Sequence, residues 1–153
     1  MVKRAAIPEQ AHCLVVAWCG ATLLPPSLAV GLERERRTWR AESDDRVWAA
    51  SEFENFETPA LTLDDPDLLR RCARLRQLLN RAENASRALV ALYREVAVEL
   101  NSRDWSDVLP VTSDFVVFPS DVELVGLAGH LRAVLGKDRL AALVSAMGCS
   151  PPA

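Results

Sequence analysis

The chain has 153 residues, half of them hydrophobic and a quarter charged. This is the composition of one globular domain and excludes a globally disordered chain. Its formal charge of −3 builds in no net pull toward nucleic acid or anionic lipid. Of the 18 basic residues only Lys3 and Lys137 are lysines, and with the abundant alanine this reads as the coding bias of a GC-rich bacterial genome.

Two readings are open for the first apolar run, Leu14 to Leu24. Lys3 and Arg4 precede it and Ser27-Leu28-Ala29 has a small-x-small spacing, which together sketch a signal peptide. Against that, Pro8, Glu9 and His12 separate the basic residues from the run, and Trp18, Cys19 and Gly20 interrupt it. The rival reading is a buried strand, His12 to Cys19, punctuated by Gly20. The run is too short to span a bilayer, which needs about 20 residues. Pro25-Pro26 then forces an extended link, and Ser27 to Leu32 alternates as a second strand.

Residues 33–46 carry five arginines and five acids, and read as a solvated segment whose ion pairs are each worth little. Trp39 and Trp48 bracket it, and Trp48 to Phe53 packs a short element onto the core through its aromatics. Asp65-Pro66 reads as N-cap and N1 of a helix. In that helix Leu68, Cys72, Leu75 and Leu79 share one face. A second helix follows from about Asn84 to Asn101, with Ala85, Leu89, Leu92, Val96 and Leu100 inward, and residues 80–84 break the two into a hairpin. Phe115 to Phe118 is a short strand that Pro119 closes. Asp121 caps a helix that ends at Gly136, and Asp138 caps a last helix that ends at Gly148. The order predicts an α+β fold: a small mixed or antiparallel sheet backed by helices, including a helical hairpin, in a single domain with an ordered core over about residues 10–148.

The four cysteines, Cys13, Cys19, Cys72 and Cys149, show no Cys-x-x-Cys spacing. That removes the main support for zinc-ribbon and thioredoxin readings. They read as reduced structural thiols, with two disulfides in a secreted domain as the alternative. His12 and Cys13 are adjacent in a strand, so their side chains point to opposite faces and cannot act on each other. Asp114, Asp121 and Glu123 form an acidic group around the Phe115–Phe118 strand that, with Glu52 as a further candidate, would suit a metal-assisted hydrolase. Each of the first three also has a structural reading, as turn, cap or first-turn residue. No phosphate loop, dinucleotide-binding glycine pattern or hydrolase motif occurs, and no cofactor or metal is expected. Arg70, Arg71, Arg74 and Arg76 place four positive charges on one helix. Asp64, Asp65 and Asp67 adjoin them, so the group reads first as a solvated helix face and, as a binding patch, suits an acidic protein surface better than nucleic acid.

The stretch Leu100-Asn101-x-x-Asp104-Trp105-Ser106-x-x-Leu109-Pro110-Val111-Thr112-x-Asp114-Phe115-Val116-Val117-Phe118, followed by Asp121-x-Glu123, resembles an uncharacterised bacterial domain-of-unknown-function family. The resemblance extends back to the first strand, to Trp48-x-x-x-Glu52-Phe53 and to the helix after Asp65. It implies that the first strand belongs to the fold. It transfers no site residues and no activity. Proteins of this kind are often encoded near toxin–immunity systems, which implies an immunity or interaction role. The expectation is a cytoplasmic, non-enzymatic protein-interaction module that binds a protein partner, with no nucleic acid and no membrane. Arg70, Arg71, Arg74, Arg76 and exposed Trp39, Trp48 and Trp105 would form its surface. The alternatives are the acidic-cluster enzyme and the secreted disulfide-bearing domain.

Overall fold

The apolar run near the N-terminus is the centre of a sheet. The structure, a computed structural model, describes residues 7–19, 22–42, 44–59, 61–62, 64–79 and 84–152. Lys3, Arg4, Gly20 and Asn80 therefore lie outside the described residues. Strand β1 (Ala11–Cys19) is buried over all but its last residue. Strand β2 (Thr22–Leu32) pairs antiparallel on one side of it and β4 (Val111–Asp121) pairs parallel on the other. A two-residue strand, β3 (Asn55–Phe56), closes the far edge of β2, giving the order β3-β2-β1-β4. Cleavage after Ala29 would remove β1 and most of β2. The expected α+β architecture is thus present, with a mixed sheet and four helices: α1 (Glu33–Glu42), α2 (Pro66–Leu79), α3 (Ala85–Leu100) and α4 (Leu127–Met147).

Alternation along the strands splits the core in two. Leu14, Val16 and Trp18 of β1, with Phe115 and Val117 of β4, face α2 and α3. Val15 and Ala17, with Val116 and Phe118, face α1, α4 and two short 3-10 turns at Asp45–Trp48 and Ala50–Glu52. Helices cover both faces, which is why β1 and the middle of β4 read as apolar runs rather than as half-polar strands.

Three local expectations change. The charged run 33–46 is not simply a solvated segment: its first ten residues form α1, with Glu35, Arg36 and Trp39 buried. In α3 the buried line is Leu89, Tyr93 and Ala97, while Leu92 and Val96 are exposed. Tyr93 stacks on Trp18 with ring centroids 5.6 Å apart, and seating that aromatic pair rotates the helix by one residue. Asp121 does not cap a helix. Its carboxylate accepts the Glu123 N–H at 2.8 Å in a turn, and α4 begins only at Leu127. The break after Leu135 is where the sequence places it: Gly136 has φ 71° and ψ 174°, a combination essentially restricted to glycine.

Strand β4 also runs past Pro119, to Asp121. The Val117 N–H donates to Asn101 Oδ1 at 2.9 Å, and Asn101 Nδ2 donates to the Val117 carbonyl at 2.6 Å. The Val117 backbone therefore faces away from β1, toward the open edge. Pro119, two residues on, shares that orientation, so its missing N–H costs no sheet bond. Arg139 donates to the Phe115 carbonyl at 2.9 Å, on the same edge.

Candidate functional site

Two regions carry the chemistry-bearing side chains: a polar cluster at the start of β1 and β4, and the outer face of α2 and α3.

The first is built by a bulge. Ala11 pairs with Leu32 but Cys13 pairs with Gly31, so His12 is an extra residue. Opposite it, Ala11 pairs with Val111 and Cys13 with Val116, so residues 112–115 also step out of register. A bulge re-aims the side chains beside it. His12 therefore turns onto the same face as Cys13, and its Nε2 lies 3.8 Å from Cys13 Sγ, which corrects the expectation that the two point apart. Gly31 makes room for the pair: a Cβ there would lie 2.6 Å from His12 Nε2 and 2.7 Å from Cys13 Sγ. The pair is not primed for nucleophilic attack. Burial pushes the Cys13 thiol far up. Burial first, then the nearby Arg36, hold His12 down to about 3. Both side chains are neutral and shielded from solvent at pH 7, whereas a reactive cysteine needs an accessible thiolate.

The displaced β4 segment carries Asp114 to Arg36. Arg36 Nη1 and Nη2 donate to the two Asp114 oxygens at 2.6 and 3.2 Å, and its Nε donates to Glu33 at 2.6 Å. Burial alone would raise the Asp114 pKa, but hydrogen bonds from Arg36 and Thr112 and the charge of Arg36 together outweigh it and hold the carboxyl below its usual value. Glu35, one residue before, is buried and accepts the Leu32 N–H and the Glu54 N–H, both at 2.8 Å. The first of these bonds is the reciprocal arm of a capping box. An open depression of about 530 Å³ borders the cluster, lined by Gln10, Glu33, Arg36, Arg37, Thr112, Ser113 and Asp114. Every charge of Arg36 is already answered by a carboxylate, so the cluster ties α1 to the sheet.

The acidic candidates do not converge. Asp114 and Asp121 lie seven residues apart along β4, about 23 Å at roughly 3.3 Å per residue. Glu123 and Glu52 are exposed. No group of three or more potential metal ligands occurs among the described residues. His130, by contrast, is buried at the end of β1. Its Nδ1 accepts from Arg94 Nε at 3.1 Å and its ring meets Trp18 edge-on. Burial first, then Arg94, lower its pKa.

The aromatic surface also needs correction. Trp48 is fully buried, Trp39 is buried against Phe53, and Trp105 is half-buried, donating to the Leu100 carbonyl at 2.9 Å. The tryptophans thus serve the core more than the surface, each packing or hydrogen-bonding within the fold.

The arginine patch is exposed as a whole: Arg70, Arg71, Arg74 and Arg76 all face solvent on α2. The Asp65 carboxylate accepts the N–H groups of Asp67 and Leu68 at 2.8 and 3.1 Å, the cap that the sequence predicts. No residue of α2 is buried; only Cys72 and Leu79 seat partly against the β2 side of the core. Among the described residues, the exposed large hydrophobics are Leu68, Leu69, Leu75 and Leu78 on α2, Leu92, Val96 and Val98 on α3, and Val125. Seven of these eight thus sit on α2 and α3, and the sequence hides four of them, Leu68, Leu75, Leu92 and Val96, because they fit its inward stripes.

No family model, curated protein or solved structure matches the chain. No helix among the described residues is long and apolar enough to cross a membrane.

Proposed function

We propose that the chain is a protein-interaction module that docks its partner on the α2–α3 face. The observation that carries this is the gathering of exposed leucine and valine side chains there, headed by Leu78 at 57 % exposure, on a helix that buries nothing of its own. Exposed apolar side chains gathered among charged ones favour a docking face over a solvated helix. The separation of Asp114 from Asp121 and the neutral His12–Cys13 pair favour binding over catalysis. An immunity-type role, in which the partner is a toxin domain, is the specific form of this reading. The module would act in the cytoplasm, and its free thiols fit a reducing compartment. Asp64, Asp65 and Asp67 beside the arginines disfavour a nucleic-acid backbone.

The test is affinity capture from native lysate with the wild type and with Leu75→Ser/Leu78→Ser, followed by purification of the captured protein and titration. A partner that binds the purified wild type and is weakened about tenfold or more by the double variant supports the proposal. Equal binding to both proteins, or turnover of a small molecule that is lost on Asp114→Asn, overturns it.

A further inference from the structure

We propose that the partner surface is acidic as well as apolar, seating carboxylates on Arg71 and Arg74 beside a hydrophobic contact on Leu75 and Leu78. This rests on the reading of the α2–α3 face as the docking surface.

These four positions stand at i, i+3, i+4 and i+7, so they form one stripe along α2. All four are exposed. The helix meets the core through Cys72 and Leu79. At 100° per residue, Arg74 points about 160° away from Cys72, and the stripe occupies the flank between them. Among the described residues, neither arginine of the stripe has an ion-pair partner within hydrogen-bonding reach. Arg70 pairs with Asp67 and Arg71 lies in the field of Asp65, while Arg74 meets no carboxylate among the described residues. On α1 three of the four arginines are paired: Arg34 reaches Glu9 and Glu54, Arg36 reaches Glu33 and Asp114, and Arg37 reaches Glu33. Unanswered guanidinium groups beside half-exposed leucines complement a surface with carboxylates flanking apolar side chains.

An anionic membrane fits less well. An interfacial helix directs its apolar face outward into the lipid, whereas α2 turns its most apolar line toward the sheet and puts Arg70 and Arg74 outermost. The chain as a whole carries −3.

The probe is a synthetic amphipathic helical peptide with leucines at i, i+3, i+4 and i+7 and glutamates on both flanks. Its lysine counterpart is the control, alongside mixed phosphatidylserine–phosphatidylcholine vesicles. The glutamate peptide should bind the full chain, weaken as salt rises, and lose about tenfold in affinity on Arg71→Glu/Arg74→Glu; the lysine peptide should not bind. Equal binding of the two peptides, no binding of the glutamate peptide, or no effect of the arginine exchange overturns the acidic partner. If Leu75→Ser/Leu78→Ser still weakens binding of the captured partner in those cases, the docking face stands, and only its charge selectivity is lost. Vesicle binding stronger than peptide binding, or a concentration-dependent dimer removed by the leucine exchange, overturns it in favour of a lipid surface or a second copy.

Discussion

Helices α1 and α2 are two answers to one composition. Both are short, arginine-rich and amphipathic, yet α1 buries Glu35, Arg36 and Trp39 while α2 buries nothing. The difference lies in what stands opposite. Beside α1, paired irregularities in β1 and β4 push His12 and Asp114 out of regular alternation and give the buried Arg36 a bidentate, partly exposed partner. Beside α2 there is only β2 and a line of leucines that the sheet does not fully cover. The lesson is that an arginine-rich helix is structural when the fold supplies its carboxylates, and available when it does not.

The widest separation between the regions should come from acid. An unfolded histidine takes up its proton near pH 6.5, whereas folded His12 holds off until about 3. The unfolded state therefore binds more protons across that window, and stability falls as pH drops through it, by up to roughly 1.4 kcal/mol per unit. Urea unfolding of the wild type between pH 7 and 4 should show this slope, and His12→Gln should flatten it. An unchanged slope would break the picture of a buried neutral histidine.

Next in size is Arg36→Met, which leaves Glu33 and Asp114 facing each other. Because Asp114 is partly exposed, the loss should fall at or below the low end of the roughly 3–5 kcal/mol seen for fully buried pairs. Gly31→Ala should cost about 1–3 kcal/mol by overpacking His12 and Cys13. Asn101→Ala, which strips two bonds from the edge of β4, should cost a similar amount. Smallest of all, Arg74→Ala on α2 should change stability by no more than about 0.5 kcal/mol while still weakening partner binding. Chemical denaturation of all four variants at pH 7 ranks them. If Arg74→Ala destabilised as much as Arg36→Met, the distinction between a paired and an available arginine would collapse.

Much of this fold is legible in the sequence. The β1 run, the Asp65-Pro66 helix start, the breaks at Gly136 and Gly148 and the apolar Phe115 to Phe118 stretch all announce themselves through local periodicity and backbone chemistry. What escapes depends on distant partners. Nothing near His12 signals a bulge, because the extra residue exists only relative to Gly31 on another strand. Glu35 and Arg36 look solvated until Leu32, Glu54 and Asp114 are brought to them. Trp39 and Trp48 look available because aromatic residues serve cores and interfaces alike. Pro119 reads as a stop unless the chain is known to lie at a sheet edge. For the candidate site, the arginines are visible from spacing alone. The leucines beside them are not, because an amphipathic stripe predicts burial without saying how much of it the sheet can cover.

Asn101 carries a consequence for self-assembly. Its side-chain amide offers one donor and one acceptor to Val117, the pair a neighbouring strand would otherwise supply, and Pro119 removes the next available donor. Growth of the sheet by addition of a further chain is thereby terminated at that edge by a single side chain. At the opposite edge, β3 is only two residues long and offers too little ladder for a template. The protection is specific to the β4 margin, because β3 pairs only with Ala29 and Val30 of the longer β2.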